Sequence, residues 1–218
     1  TIIMVVLMIL IGGVTRLTDS GLSMVEWRPL WGFLPPISQF EWNRVFELYM
    51  ESPEYIFKNK GMSLEEFKKI FFWEYFHRLW GRLIGIIFII PLLFFIIVKK
   101  IPKSILSKLF LILFLGGLQG LIGWWMVKSG LVNDPNVSQY RLTIHLSNAL
   151  LILSLLIWVY LDVKEGVSQI RPDFSFFMFS ILFITIIAGA FVAGMDAGLM
   201  YNEYPFMGDS LIPENYGE

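Results

Sequence analysis

Four long apolar stretches constrain this chain more than any other feature of its sequence. They cover residues 74–98, 109–127, 142–161 and 174–193, and the last three contain no charged residue. Each is long enough to cross about 30 Å of hydrocarbon as a helix that rises about 1.5 Å per residue. A cleaved signal peptide could account for the apolar residues 1–14, but not for these four stretches. The sequence therefore predicts an all-α fold, a polytopic membrane helical bundle.

The first apolar segment, residues 1–14, is shorter than a membrane span. Because it begins without a methionine in the middle of an apolar run, we interpret it as the C-terminal part of a first helix. Of all residues, 56% are hydrophobic and 17% aromatic, which fits a membrane protein. The net charge of −1 argues against nucleic acid as a partner. The chain contains no Cys, which excludes disulfides, thiolate metal sites and covalent heme attachment through Cys-x-x-Cys-His.

The charges in the short loops predict the orientation, because Lys and Arg accumulate on the cytoplasmic side. Two turns carry such residues: Lys99, Lys100, Lys103 and Lys108 follow the first stretch, and Lys164 and Arg171 follow the third. Both turns are therefore predicted to be cytoplasmic. The loops 15–73 and 128–141 and the tail after Gly194 then face the periplasm of a bacterium or the intermembrane space of a mitochondrion.

The outer loop, residues 15–73, is too long to be a simple turn. Residues 15–36 are rich in Gly, Pro and Trp, as expected of a structured cap over the mouth of a bundle. Between residues 40 and 70 the apolar side chains recur at helical spacing, at Phe40, Trp42, Val45, Phe46 and Tyr49 and again at Leu64, Phe67 and Ile70. This spacing predicts amphipathic helices along the membrane surface, with a packing role as an interfacial lid.

The chain has two histidines, His77 and His145, and each lies just inside the start of an apolar stretch. Both stretches enter the membrane from the same side, so the two imidazoles are predicted at nearly equal depth. Such side chains can meet across a bundle core, where helical bundles commonly hold metals and cofactors. A polar residue near the end of a membrane helix can instead be an interfacial anchor. The matched pair favours a heme site.

Three arginines lie near the histidines. Arg78 follows His77 directly, and Arg82 lies one turn deeper. Arg141 precedes His145 by four residues and shares its helix face. Heme carries two propionate carboxylates on one edge, and Arg binds carboxylates through charge-assisted, bidentate hydrogen bonds. We therefore predict that these arginines bind propionates, although arginines near helix ends also commonly extend to the interface.

Glu74 lies three residues before His77, so the two side chains look the same way into the bundle. A carboxylate near the low-dielectric region costs free energy unless it is paired or used in chemistry. Glu74 can act in chemistry, form a salt bridge with Arg78, or complement the helix macrodipole. The sequence leaves these alternatives open.

The stretch 109–127 carries small residues at helical spacing around Gln119, namely Gly116, Gly117, Gly120 and Gly123. Small residues in register allow close helix packing or leave room for a flat macrocycle. Packing is the more common of the two.

A short pattern occurs twice: Gly12, Asp19, Gly21 and Leu22 recur with identical spacing as Gly189, Asp196, Gly198 and Leu199. A proline follows each set, Pro29 or Pro205. The repeat predicts a duplicated protein, with a first four-helix half in residues 1–161. Residues 174–218 would then supply the first helix and the outer loop of an incomplete second half.

Five strings follow one another in a distinctive order. They are RLTDSGLSM at 16–24, EYFHR at 74–78, QGLIGWWMVKSGL at 119–131, RLTIH at 141–145 and AGMDAG at 193–198, followed by Asn202 and Pro205. Together they resemble the heme A synthase family over essentially the whole chain. The cysteine-free outer loop is similar to the proteobacterial and mitochondrial branch.

This resemblance implies an eight-helix enzyme made of two four-helix halves, each with two histidines for a heme. Such enzymes oxidise the C8 methyl of heme O to the formyl group of heme A for cytochrome oxidase assembly. The resemblance places heme O in the half present here, with His77 and His145 as axial iron ligands and Glu74 as the catalytic carboxylate. It places heme b in the second half, so the chain is expected to be a fragment.

The resemblance also implies the setting, which is the bacterial or mitochondrial inner membrane. The expected partners are an electron donor, heme O synthase or oxidase assembly proteins, and further copies in a homo-oligomer. Two alternatives remain open. A membrane b-type cytochrome would keep the histidines but only transfer electrons. A non-enzymatic assembly factor or carrier would use them as helix anchors.

Overall fold

A computed structural model describes residues 1–27, 32–132, 135–166, 172–200, 203 and 205–212. Its regular elements are α1 (Ile2–Leu17), α2 (Gln39–Met50), α3 (Pro53–Phe57), α4 (Leu64–Ile97), α5 (Lys103–Ser129), α6 (Gln139–Glu165), α7 (Phe174–Gly194) and a short 3-10 helix (Ala197–Leu199). Three residues used in the sequence analysis, Pro29, Arg171 and Asn202, lie outside the described ranges.

Four helices, α4 to α7, are long and apolar enough to cross a membrane. Helix α1 is apolar but has 16 residues. Helices α5, α6 and α7 contain the predicted spans 109–127, 142–161 and 174–193 and extend beyond them by a few residues. The predicted all-helical, polytopic bundle is thereby confirmed.

One helix boundary differs from the prediction. Residues 64–73, which we assigned to the outer loop, are the first turns of α4 and continue without a break into the span expected to begin at Glu74. The helix starts early because Ser63 accepts a hydrogen bond from the backbone N–H of Glu66, whose carboxylate accepts one from the Ser63 N–H. No Gly or Pro interrupts the segment. Phe67 therefore belongs to the membrane helix and not to a separate surface helix.

The rest of the outer loop, residues 18–27 and 32–63, forms what we call the cap, and it covers what we call the capped end of the bundle. The core between the cap and the first turns of α4 is aromatic. Tyr49 of the cap and Phe67 of α4 are fully buried, with ring centres 4.9 Å apart. Glu54 is buried beside them and accepts a hydrogen bond from the Tyr49 hydroxyl at 2.9 Å. Burial raises the pKa of the Glu54 carboxyl to about 7. This packing fits the lid role that we predicted for the loop.

Helices α1, α4, α5 and α6 form a closed ring. Helix α1 packs against α4 and α6, and α5 packs against the same two helices. Within the described residues α4 and α6 do not pack on each other, so they stand diagonally opposite across the bundle. Helix α7 lies outside the ring, against α6. The two helices that carry the histidines are therefore placed to direct side chains across a common core.

Apolar side chains fill the end of the bundle away from the cap. The buried members are Val5, Ile112, Ile152, Leu156 and Val159. At this end Lys108 Nζ lies 2.6 Å from Asp162 Oδ2 and joins α5 to α6. The polar groups of the core lie instead toward the capped end.

The two repeated sequences end their helices in the same way. The second residue after α1, Asp19, has φ 48°, and the second residue after α7, Asp196, has φ 52°. The N–H of Asp19 donates to the carbonyl of Arg16, and that of Asp196 donates to the carbonyl of Ala193. Arg16 also joins the two helix ends through a 3.0 Å salt bridge to Asp196. The repeated residues thus adopt the same local backbone conformation at the ends of α1 and α7.

Candidate heme-binding site

The two histidines lie on diagonally opposite helices at the capped end. His77 on α4 and His145 on α6 are both half-buried. A Cβ atom built on Gly12 of α1 would lie 3.3 Å from His77 Nε2, and one built on Gly123 of α5 would lie 3.0 Å from His145 Cε1. Each imidazole therefore lies over a glycine of a neighbouring helix, where a larger side chain would displace it.

A polar cluster from α5 and α6 surrounds His145. Gln119 Nε2 lies 3.3 Å from His145 Nε2 and donates to the His145 carbonyl at 3.0 Å. Asn148 donates to Gln119 Oε1 at 2.7 Å and to the Leu115 carbonyl at 3.1 Å. Nδ1 of His145 is buried without a hydrogen-bond partner among the described residues. Buried ring nitrogens are normally satisfied, so this atom is typical of a site that binds a further group.

Asn148 and Gly12 also belong to this site, although the sequence alone did not lead us to predict them. Asn148 could have been predicted from the sequence, because it follows His145 by three residues and therefore shares its helix face. Gly12 was noted only as part of the repeat. Its contact with His77 depends on how α1 crosses α4, and a single sequence does not encode that crossing in any local pattern.

The glycines of α5 do not all behave as the packing interpretation predicts. A Cβ atom on Gly116, Gly117 or Gly120 would meet no atom within 4 Å. Close approach occurs at Gly123, and its neighbour there is the His145 imidazole. At the other three positions the absent side chains leave open space.

Replacing Gly123 with Ala should displace the His145 ring and weaken heme binding. An added Cβ atom at 3.0 Å from Cε1 forces the ring or the helix to move, at a cost of about 1–3 kcal/mol. Gly120→Ala is the matched control, because it adds the same atom to the same helix in open space. Spectral titration of the two apoproteins with heme measures the difference. Equal affinities would contradict a role for His145 in binding.

Glu74 is buried, and both of its oxygens are occupied. Oε2 accepts hydrogen bonds from the Ser23 hydroxyl and from the Met24 N–H, both at 2.7 Å. Oε1 accepts one from Arg78 Nη2 at 2.5 Å, and the same nitrogen donates to the Met24 carbonyl at 3.1 Å. The salt bridge to Arg78, one of the roles that the sequence left open, is thus present. The hydrogen bonds from Ser23 and Met24 to Glu74 tie the cap to α4 one turn from His77.

The three arginines do not all lie together. The Arg82 guanidinium lies under the cap, 5.5 Å from the centre of the Phe33 ring. Arg82 is one helical turn from Arg78 on α4. Arg141 lies over the Trp125 ring at 4.5 Å and donates to the Trp125 carbonyl at 2.7 Å in an exposed position. The structure therefore brings Arg78 and Arg82 to the α4 side of the site and leaves Arg141 at the outer rim.

Comparison with known proteins identifies similar chains. Heme A synthase of Nitrosospira multiformis is 52% identical over 214 residues, which are 94% of this chain and 60% of that protein. Heme A synthase of Granulibacter bethesdensis is 49% identical over 222 residues, 99% of this chain and 59% of that protein. The Parvibaculum lavamentivorans protein of the same name is 45% identical over 97% of this chain and 62% of its own length.

The chain spans about three fifths of the length of these curated relatives. No solved structure matches it. A family model described as cytochrome oxidase assembly protein, COX15-CtaA, matches residues 1–218. Together with the four apolar helices, this match makes the chain part of a multi-pass membrane protein and confirms the resemblance seen in its motifs. The chain belongs to the COX15-CtaA family of cytochrome oxidase assembly proteins.

Proposed function

We propose that this chain is the part of a heme A synthase that binds heme O and supports oxidation of its C8 methyl group to the formyl group of heme A. The observation that carries the proposal is the placement of His77 and His145 on diagonally opposite helices, each over a glycine. The name of the curated relatives supplies the product, heme A. The oxidation of heme O is what the resemblance of the motifs implies. When bound, heme iron supplies the oxidising chemistry, and the protein controls it through axial ligands and local charge.

The residues present fit a heme. Imidazole is a common axial ligand of heme iron, and a bundle core between opposite helices is a common place for such a cofactor. Gly12 and Gly123 leave room beside the two rings, and His145 keeps one buried nitrogen without a partner in the described part of the chain. Gln119 contacts the His145 ring and carbonyl and so limits its orientation, as supporting residues of metal ligands typically do.

Each polar residue then has a distinct role. His77 and His145 bind the iron, and Arg78 and Arg82 bind the propionates from the α4 side. Arg141 can reach a propionate only from the outer rim, where it now contacts Trp125. Glu74, one turn from His77, holds or accepts a proton near the methyl group that is oxidised.

We further propose that residues 1–161 form one half of a duplicated protein and that α7 begins the second half, which holds heme b. The matching helix ends at Asp19 and Asp196 support this division. The lysines at the far end of the bundle support an orientation with the capped end toward the periplasm or intermembrane space. The membrane would be the bacterial or mitochondrial inner membrane, and the partners an electron donor and the proteins of heme O synthesis and oxidase assembly.

Analysis of the bound pigments tests the function. The intact protein, purified from cells that make heme O, should contain heme O and heme A, which reverse-phase chromatography separates. A low-spin heme b spectrum with no heme A would favour the b-type cytochrome. A folded helical protein without stoichiometric heme would favour the assembly factor. Either of the last two results would overturn the proposal.

A further inference from the structure

A cleft at the capped end brings together two cations and two tryptophans. It has a volume of about 320 Å³ and lies between the cap and the end of α5. Its lining includes Trp27 of the cap, Arg78 of α4, and Trp124 and Lys128 of α5. Trp124 and Lys128 are neighbours on α5, whereas Trp27 and Arg78 are far from them in the sequence and reach the cleft only through the fold of the cap and the packing of α4.

The cleft combines flat apolar surface with positive charge. The Arg78 guanidinium lies 5.6 Å from the centre of the Trp27 ring, and the Lys128 ammonium lies 5.2 Å from that of Trp124. The two indole rings are 6.3 Å apart and tilted by 51°. Indole faces pack well against other flat apolar groups, and cations beside them attract acids. The chemistry is complementary to a flat apolar molecule with carboxylates at one edge.

The charges of the cleft are unequally paired. Arg78 forms a salt bridge with Glu74, whereas Lys128 has no acidic group within 4.0 Å among the described residues. Lys128 is exposed at its outer side, so its charge is partly screened by water. Within the described part of the chain no acid neutralises this charge, so it can bind an anion that enters the cleft.

The cleft adjoins the histidine site on two helices. On α5, Val127 lines the cleft, and Gly123, four residues earlier on the same face, contacts His145. These four residues correspond to about 6 Å along the helix. On α4, Arg78 lines the cleft and directly follows His77. A molecule held at the histidines could therefore extend one edge into the cleft.

We propose that Lys128, together with Arg78, binds the carboxylate edge of the heme held by His77 and His145, while Trp27 and Trp124 pack against its apolar surface. This inference rests on the proposed function, since it assumes a heme at the histidines. It adds to the site a lysine from α5, on the side of the core opposite α1. The propionates are then bound from two helices, which fixes the rotation of the macrocycle about the axis between the histidines.

Two hemes that differ only in the charge of this edge test the role of Lys128. Ferric protoheme has two free propionates, and its dimethyl ester has none. In the intact apoprotein, Lys128→Met should weaken protoheme binding roughly three- to tenfold, the effect of one partly exposed charge-assisted contact. It should leave the affinity for the dimethyl ester unchanged. Titrations followed at the Soret band measure both values.

The control is Lys60→Met, which removes the same charge from an exposed position in the cap and should change neither affinity. Equal weakening of both hemes by Lys128→Met would assign Lys128 a packing role and overturn the inference. Unchanged heme affinities with weaker binding to vesicles of anionic phospholipid would assign it to lipid headgroups, as is common for lysines at membrane boundaries, and would also overturn it. His77→Ala must weaken both hemes; if it does not, the heme site itself is wrong, independently of Lys128.

Discussion

Replacing His77 or His145 with Ala should abolish the low-spin heme spectrum of this site, and either substitution alone should suffice. An iron held between two imidazoles needs both of them, and residues 1–218 contain no third histidine that could take over at this site. The reduced-minus-oxidised spectrum of the detergent-purified intact protein measures the loss, together with chromatography of the extracted hemes.

Added imidazole distinguishes a ligand from a helix anchor. Each Ala substitution leaves space for a free imidazole beside Gly12 or Gly123. If the histidines bind iron, millimolar imidazole should restore the low-spin spectrum of the variant proteins. Two results would contradict iron binding by both histidines. One is an unchanged spectrum in His145→Ala, and the other is a folded variant whose spectrum imidazole does not restore.

The membrane helices were predictable because the hydrocarbon of a bilayer restricts the backbone structures that can cross it. Every backbone N–H and C=O must be satisfied within a membrane-spanning helix, so length and composition identify the spans without knowledge of their neighbours. The spans predicted at 109–127, 142–161 and 174–193 lie within α5, α6 and α7 for this reason. The predicted start of α4 at Glu74 was wrong because the first turns of the helix are amphipathic. An amphipathic pattern does not distinguish a surface helix from the continuation of a membrane helix.

The local part of the site was predictable, and the long-range part was not. Arg78 and Glu74 are four residues apart on one helix, so helix geometry alone brings them together. The contacts of His77 with Gly12 and of His145 with Gly123 depend on which helices are neighbours in the ring. That order is set by side-chain packing between segments distant in the sequence, and no periodicity records it.

The position of Glu74 combines a structural duty with the proposed chemical one. Its carboxylate is one of the places where the cap, here through Ser23 and Met24, is bonded to α4. The same carboxylate neutralises Arg78, which lines the cleft next to the histidine site. Substitutions of Glu74 must therefore distinguish two effects. One is the effect of losing the shape of the side chain, and the other is the effect of losing its charge and its ability to carry a proton.

Glu74→Gln should leave heme bound but stop the conversion of heme O to heme A. Glutamine keeps the shape and an acceptor oxygen for Ser23 and Met24, but it can neither ionise nor carry the proton. Glu74→Gln and Glu74→Ala both remove the negative charge that pairs with Arg78. Glu74→Ala should in addition loosen the cap, because it leaves the Ser23 and Met24 donors without an acceptor at a cost of about 1–3 kcal/mol. Heme content, heme A yield and the thermal unfolding midpoint of the intact protein measure the three effects.

Ser23→Ala is the matched control for these variants, since it removes one hydrogen bond to Glu74 and leaves the carboxylate in place. It should lower stability by about 1 kcal/mol and retain conversion. If Glu74→Gln loses heme and stability as Glu74→Ala does, the carboxylate acts only by holding the cap on α4. If Glu74→Gln converts heme O at the normal rate, conversion needs neither the charge of Glu74 nor its proton, and the proton is handled elsewhere.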